Sequence, residues 1–506
     1  MGALMKDILS EIVERRKKDI EKNGLEFGFD IPKTRARKLH PFLEKKGVIL
    51  EVKRASPSKG DIAPNLDSAQ TAKSYAQAGA AAISCLTETN YFKGTLQDLM
   101  NVCQAVDDFE KESGRTGPAV LRKDFLLSAD EVEIAYRAGA DAVLLIARIL
   151  SEETMVSMAK KCSFLGMTAL VELRTDEDCE KLEKTVAAAG KENIVCGVNS
   201  RDLKDFSIDL LTPCMMLSKI RRIMGENARV IFESGVRTPS SASFVGSLGF
   251  SGLLLGEAAA KNMKLRKDFV DSFTQAEETP NARFWRKFTE KRLLEGKKPL
   301  VKICGLTNRD DAKKACELGA DILGFIFWEK SPRKVSAPVV REMKDFPAIK
   351  AGVIVDPDLP ESKEAIELVK NGFLDVLQVH TMDGARKFLS DRKLSTLPHY
   401  CAVNLSGNDD AKSLDELFDM GEPRVLVDAQ AKGKIGGTGT MLSEELVALA
   451  QKKYRLWLAG GLNEANVADA AEKFLPELID TASGVEESPG KKDYKKMTEF
   501  FAALGK

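Results

Sequence analysis

Two tandem (β/α)8 barrels joined by a helical linker, an α/β architecture, are predicted for this chain of 506 residues by three observations. Short β-rich runs alternate with helical segments along the whole length, and each half contains eight such runs. Most runs are apolar throughout, as strands buried on both faces are. A junction phrase also recurs, in AGAAAISCL, AGADAVLLIA and LGADILGFIF, where a helix ends on glycine and a strand follows at once. A pair of doubly wound open sheets is the competing architecture, but the chain lacks the strand–glycine–helix fingerprint of the GxGxxG kind.

The chain opens on MGALMKDILSEIVERRKKDIEKNG, a charged amphipathic helix without the apolar core of a signal peptide. Lys6 stands where a myristoylation motif requires Ser or Thr. The strands of the first half are expected to start at Val48, Ala81, Ala119, Ala142, Thr168, Ile194, Arg229 and Gly252. Those of the second half start at Leu300, Ile322, Lys350, Val376, His399, Arg424, Leu456 and Leu478. Between the halves, Glu277 to Pro280 break the preceding helix. Phe284, Trp285 and Phe288 then fall on one side of a further helix, read either as a linker resting on one or both domains or as surplus length of the first barrel. The expected domains are residues 1–275 and 299–506, with residues 276–298 between them.

Lysine plus arginine equals aspartate plus glutamate, 76 of each. No basic excess argues for nucleic acid or an acidic membrane as the main partner. No apolar run approaches the ~18 residues of a membrane span. Nine cysteines form no CxxC pair, and the three histidines, His40, His380 and His399, are far apart in sequence. A metal site is not expected, and the cysteines read as reduced thiols of a cytoplasmic protein.

Active sites of this fold lie at the C-terminal ends of the strands, which turns the strand list into a list of candidate groups. In the first half it yields Glu51, Lys53, Ser56, Lys123, Glu172, Asn199, Arg201, Glu233 and Ser234. Each could be a structural ion pair. As a set of lysines and carboxylates sharing one mouth, they suit acid–base chemistry with pKa values displaced both ways. In FESGVR and LLLGEA, and again in LAGGLN and DTASGVE, small residues let backbone N–H groups approach an anion. These are the phosphate positions of a barrel, so both domains are expected to hold a phosphorylated small molecule.

The second half places Lys302, Cys304, Arg333, Asp428 and the loop GKIGGTGT at strand ends. Cys304 can be a buried small hydrophobe, a redox thiol or a catalytic group. No partner thiol supports the redox reading. A thiol on the first strand and a carboxylate on the sixth, expected to face each other across the mouth, make a base–acid pair.

The motifs themselves are specific. EVKRASPSKG, LRKDF, LVEL, GVNSRDL, ESGV and LLLGEA resemble the indole-3-glycerol-phosphate synthase family in order and spacing. KICGLT, GFIFWEKSPRKV, VDAQ…GGTG, LAGGLNEANV and DTASGVEESPGKKD resemble phosphoribosylanthranilate isomerase. The order is that of the fused bifunctional enzymes of tryptophan biosynthesis. The resemblance implies an Amadori rearrangement in the second barrel, with Asp428 as acid, Cys304 as thiolate base and Arg333 on the anthranilate carboxylate. Gly437, Gly460, Gly461, Ser483 and Gly484 would hold the phosphate. It implies ring closure, decarboxylation and dehydration in the first barrel. There Lys123 is the general acid, assisted by Glu51, Lys53 and Glu172. Ser56, Phe125, Asn199, Arg201, Glu233 and Ser234 would bind substrate, and Gly235 and Gly256 the phosphate.

The implied ligands are phosphorylated anthranilate derivatives, without cofactor, metal, nucleic acid or membrane. A monomer is compatible with the sequence, and oligomeric state stays open. The chain departs from the family pattern at Thr89, where a proline is expected, at Lys93, where a glycine is expected, and after GGTG, where an aromatic residue is expected. One live barrel beside a retained scaffold, and an aldolase using Lys53 or Lys123 as a Schiff base, are the competing functions.

Overall fold

The computed structural model describes residues 8–201, 207–295, 298–405, 411–429 and 444–506. The chain divides into two compact units, Met1–Glu277 and Glu278–Lys506. Each unit is a closed barrel of eight parallel strands, so the predicted fold class holds in both halves.

In the first unit the barrel strands are β1 (Gly47–Val52), β2 (Ala82–Leu86), β3 (Ala119–Lys123), β4 (Ala142–Ile146), β5 (Thr168–Leu173), β6 (Ile194–Asn199), β7 (Val230–Glu233) and β8 (Gly252–Leu255). β1 closes the ring by pairing with β8, Gly47 opposite Gly252. Ile49, Leu121, Leu170, Val195, Ile231 and Leu254 belong to the buried core. These near-continuous apolar runs form strands because both faces are covered. The opening helix, α1, spans Ile8–Asn23. Its Leu9 and Ile12 join the same buried core.

In the second unit the strands are β9 (Leu300–Ile303), β10 (Ile322–Ile326), β11 (Ile349–Ile354), β12 (Val376–Val379), β13 (His399–Leu405), β14 (Val425–Ala429), β15 (Trp457–Leu458) and β16 (Leu478–Thr481). β9 pairs with β16, Leu300 opposite Leu478. Helix α2 (Pro280–Glu295) belongs to this unit. Trp285 and Phe288 are buried, with ring centroids 5.9 and 5.4 Å from Trp457. Asn281 accepts a hydrogen bond from the His399 backbone N–H. The aromatic stripe thus covers a face of the second barrel and is not surplus length of the first.

Two short hairpins were not expected from the sequence. One pairs Ala55–Ser56 with Gly60–Asp61 after β1. The other pairs Glu486–Ser488 with Lys491–Lys492 after β16. Both lie beyond the C-terminal ends of strands, the face that carries the candidate groups.

Candidate active sites at the two barrel mouths

The strand ends of the first barrel bring the predicted lysines and carboxylates together. Lys53 Nζ lies 2.6 Å from Glu51 Oε1. Lys123 Nζ donates to Glu233 Oε2 at 3.0 Å and lies 3.9 Å from Glu51 Oε2. Glu51 and Glu233 are buried, with side chains 3% and 1% exposed, while the two lysines keep 17% and 16%. The acids therefore lie deeper and the ammonium groups reach toward the opening. Burial pushes the Glu51 carboxyl up, but Lys53 and Lys123 outweigh it and hold it below the usual range. Burial works against the Lys123 ammonium, yet Glu233 and Glu51 hold it above the usual lysine range. Glu172 goes the other way: burial and the neighbouring Glu233 push its carboxyl up to about 7, with Lys123 opposing. One mouth thus holds a firmly ionised carboxylate, a firmly charged ammonium and a carboxyl poised near neutrality.

Glycines make room for this set. At Gly197 on β6 an added Cβ would overlap Glu233 Oε1. At Gly256, just past β8, it would come within 2.6 Å of Glu51 Oε1 and 2.7 Å of Lys53 Nζ. Gly256 therefore makes space for the ion pair as well as offering backbone to an anion. Glu233 Oε1 is buried and has no hydrogen-bond partner among the described residues. After β7, Ser234 and Gly235 both have positive φ, 70° and 83°. A Cβ on Gly235 would lie 2.7 Å from Ser200 Oγ, so the turn presses onto the Asn199–Arg201 loop. Asn199 Oδ1 accepts from the Arg201 N–H at 3.0 Å. Ser56 sits half-buried in the hairpin after β1, and Phe125 is 9% exposed, its ring 6.0 Å from that of Phe92.

In the second barrel Cys304 follows β9 and is 7% exposed. Gly324 of β10 makes room for its thiol: a Cβ there would lie 2.8 Å from Sγ. Gly305 has φ +71°, and its own Cβ would meet the Arg333 Cδ at 2.6 Å. The Cys–Gly pair in KICGLT thus places thiol and guanidinium side by side. Burial pushes the Cys304 thiol up, and Lys302 and Lys492 pull against it. Arg333 donates through Nε and Nη2 to both oxygens of Glu486. Asp428 ends β14 and is 5% exposed. Strand order qualifies the expectation that it faces Cys304 directly, because only β15 and β16 separate β14 from β9 on the short way round. The pair is offset around the rim, where diametric opposition would put three strands between.

Of the glycines proposed for phosphate, Gly437 and the aromatic-poor loop around it lie outside the described residues. Gly460 and Gly461 adopt positive φ, 97° and 65°. A Cβ on Gly484 would overlap the Leu462 carbonyl, so the two loops close on each other only because that side chain is missing. Ser483 begins the short 3-10 turn there.

Several groups in the mouths were not picked out from the sequence. Arg16 of α1 pairs with Asp124 at 2.7 Å and with Glu131, anchoring the helix beside Lys123. His380 approaches Asp428, and Lys302, which the sequence does place at a strand end, bonds Asp480 and Gln378. Lys492, from the second hairpin, donates to the Cys304 carbonyl at 2.6 Å, the Ala482 carbonyl at 3.0 Å and Glu486 at 3.0 Å. It ties the cysteine, the loop that begins at Ala482 and the Arg333 partner to one ammonium. The Ser-Pro-Gly turn between two glutamates and two lysines in DTASGVEESPGKKD was the available signal, but only the hairpin turns Lys492 inward.

The two departures in the described loop after β2 have structural answers. Lys93 takes φ +57°, the conformation for which glycine is suited, and pairs with Asp61 at 2.5 Å. Thr89 Oγ1 donates to the Gly94 carbonyl at 3.2 Å, bracing the turn where proline was expected.

Barrels with lysine–carboxylate and thiol–carboxylate groups at the C-terminal strand ends place the chain in the class of (β/α)8 proteins built for acid–base chemistry. Residues 9–271 match the model of "Indole-3-glycerol phosphate synthase" and residues 301–503 that of "N-(5'phosphoribosyl)anthranilate (PRA) isomerase". The chain belongs to these two families, joined in one polypeptide. It is 32% identical over 488 residues to the multifunctional tryptophan biosynthesis protein of Schizosaccharomyces pombe, covering 91% of this chain and 59% of that protein. It is 29% identical over 516 residues to the protein of the same name from Phycomyces blakesleeanus, covering 90% and 62%. With the tryptophan biosynthesis protein TrpCF of Vibrio parahaemolyticus it shares 31% identity over 465 residues, 91% of this chain and 85% of that one. The chain thus spans about three fifths of the length of the first two relatives. Among solved structures, phosphoribosyl anthranilate isomerase from Thermotoga maritima aligns at 28% identity with a TM-score of 0.35, covering 41% of this chain and 98% of that one.

Proposed function

We propose that the protein catalyses two consecutive steps of tryptophan biosynthesis. The second barrel isomerises N-(5′-phosphoribosyl)anthranilate to 1-(2-carboxyphenylamino)-1-deoxyribulose 5-phosphate. Asp428 protonates the furanose oxygen and the ring opens to an iminium. Cys304, as thiolate, removes the C2′ proton, and the enol so formed gives the ketone. Arg333, gripped by Glu486 through Nε and Nη2, keeps its Nη1 side for the anthranilate carboxylate. Gly460, Gly461, Ser483 and Gly484 hold the phosphate.

The first barrel takes that ketone to indole-3-glycerol phosphate with loss of carbon dioxide and water. Lys123, held charged by Glu233 and Glu51, protonates the ketone oxygen as the ring closes. Glu51, Glu172 and Lys53 serve dehydration and stabilise the cationic intermediate. Ser56, Phe125, Asn199, Arg201, Glu233 and Ser234 bind and orient the substrate, with Gly235 and Gly256 on the phosphate.

The observation that carries this reading is the complete acid–base set at each mouth, in a chain belonging to both families. Among the described residues no helix is long and apolar enough to cross a membrane. None of the nine cysteines, all among the described residues, forms a disulfide, which suits a reducing, cytoplasmic setting. The test is to feed phosphoribosylanthranilate to the pure protein and follow carbon dioxide release and the indole chromophore. Cys304→Ala is expected to abolish the isomerase and leave the synthase, assayed on the ketone, nearly intact. Lys123→Ala is expected to do the converse. Loss of both activities in either folded variant would defeat the two-site reading, and an inactive wild-type barrel would identify a retained scaffold.

A further inference from the structure

A chain of buried polar groups runs through the second barrel from Asp480 to Asp428. Lys302 Nζ lies 2.6 Å from Asp480 Oδ2 and donates to Gln378 Oε1 at 2.7 Å. Tyr400 OH donates to the same oxygen at 2.9 Å. Gln378 Nε2 lies 3.0 Å from His380 Nδ1. His380 Nε2 lies 3.8 Å from Asp428 Oδ2. Lys302, Gln378 and Tyr400 are buried to within 2% of complete burial.

The donors dictate the direction of this chain. An ammonium group has only protons to offer, so the Gln378 atom facing Lys302 is its oxygen. The amide nitrogen then faces His380. A side-chain amide nitrogen can only donate, so His380 Nδ1 must accept, and in a neutral ring the remaining proton resides on Nε2. The nitrogen that carries it is the one that lies 3.8 Å from Asp428 Oδ2.

We propose that His380 is a positioning residue for the isomerisation, locked by Lys302 and Gln378 in the Nε2–H tautomer so that it donates to the Asp428 carboxylate. The proposal rests on the assignment of Asp428 as the acid that opens the ring. Once Asp428 has given its proton to the furanose oxygen, it is left as a carboxylate in a buried place, and the Nε2–H stabilises that anion. The 3.8 Å separation closes when the substrate binds, as contacts of this kind do. The histidine does not itself supply the proton. The groups facing it are Asp428 from β14, Gln378 on its own strand, and Lys302 from β9. Tyr400, Asp480 and Cys304 surround Lys302. Burial, then the Lys302 charge, pushes the His380 imidazole down to about 4, so the ring stays neutral through the working range.

The chain has three histidines, which makes the tautomer directly measurable. Nitrogen-15 NMR of the full-length protein, with His380 assigned by its substitution, is expected to show the neutral Nε2–H form at pH 7 and at pH 5.5. An Nδ1–H tautomer or an imidazolium at pH 7 would overturn the proposal. In kinetics, His380→Leu is expected to lower isomerase kcat by at least about tenfold, a part of what a general acid supplies. KM should change little and the synthase not at all. His380→Gln, whose amide nitrogen can reach the Nε2 position, should recover much of the loss. Equal activity of His380→Leu and wild type, or equal loss in His380→Leu and His380→Gln, refutes the positioning role. Asp428→Asn separates the two ideas: if it stays active the acid assignment fails, and if it is inactive while His380→Leu is active only the positioning role fails.

Discussion

At the scale of single residues, the first mouth works by pulling similar groups apart. Glu51 is buried and Glu172 half-buried, both carboxyls at strand ends, yet one lies below the ordinary range and the other is pushed up to about 7. The difference is the company: Glu51 has Lys53 at 2.6 Å, whereas Glu172 has the charge of Glu233 added to its burial. Glu172 is protonated below about 7 and ionised above it. Stabilising a cationic intermediate requires the ionised form. Synthase kcat/KM is therefore expected to fall as pH drops through about 7, and that limb should vanish in Glu172→Gln, as a pH–rate profile of the two proteins will show. A limb unchanged in the variant would remove Glu172 from this role.

At the scale of elements, helix α2 shows how a segment between two units becomes part of one of them. Trp285 is fully buried against Trp457, and Phe288 lies 3% exposed beside it. Burying large aromatic side chains contributes more than any polar contact this helix makes. Trp285→Ala is expected to destabilise the second unit by about 3–5 kcal/mol, read as a lower urea midpoint of isomerase inactivation, with the synthase midpoint unmoved. A second device recurs at strand starts. Asp141, Asp321 and Asp375 each precede a strand and accept from the backbone N–H of Val120, Val301 and Lys350 at 2.8, 2.8 and 2.7 Å. This explains the aspartate in AGADAV and LGADIL: it satisfies the N–H of the second residue of the preceding strand, a buried donor that must find a partner.

At the scale of the whole molecule, two cores in one chain imply two cooperative units. All three tryptophans, Trp285, Trp328 and Trp457, belong to the second, so their fluorescence reports on it alone while circular dichroism reports on both. Asp141 gives a way to move the first unit separately. It pairs with Arg35 at 2.6 Å and Arg37 at 2.9 Å. Burial raises its carboxyl, but the His40 hydrogen bond and the Arg37 charge outweigh this and hold it below the ordinary range. A lowered carboxylate contributes stability above its unfolded value of ~3.9, and that contribution is lost as pH falls through the lower folded value. Asp141→Asn removes the carboxylate facing Arg35 and leaves Arg37 with Asp107 alone, at a cost of roughly 3–5 kcal/mol. The dichroism transition of the first unit should move to lower urea and the tryptophan transition stay. The gap from wild type should shrink on acidification below about 4. A coincident shift of both signals would refute independent unfolding.

The amino-acid sequence by itself determined the architecture and which strand ends supply the candidate groups of both sites. Sixteen apolar runs can be buried on both faces only in helix-covered sheets, eight in each half is the count of a closed barrel, and the residues at their ends are dictated by strand direction. Glu51, Lys53, Lys123, Glu233, Cys304 and Asp428 were legible for that reason. What the tertiary structure alone decided is how these groups are charged and held. Lys492 comes from a hairpin 188 residues beyond the Cys304 carbonyl that it bonds. The Gln378–His380 orientation depends on Lys302, 76 residues away from Gln378. Arg16 reaches Asp124 from an opening helix that the sequence marked only as amphipathic. Burial and charge proximity act through space, and a one-dimensional pattern of residue types carries strand periodicity but not these distances.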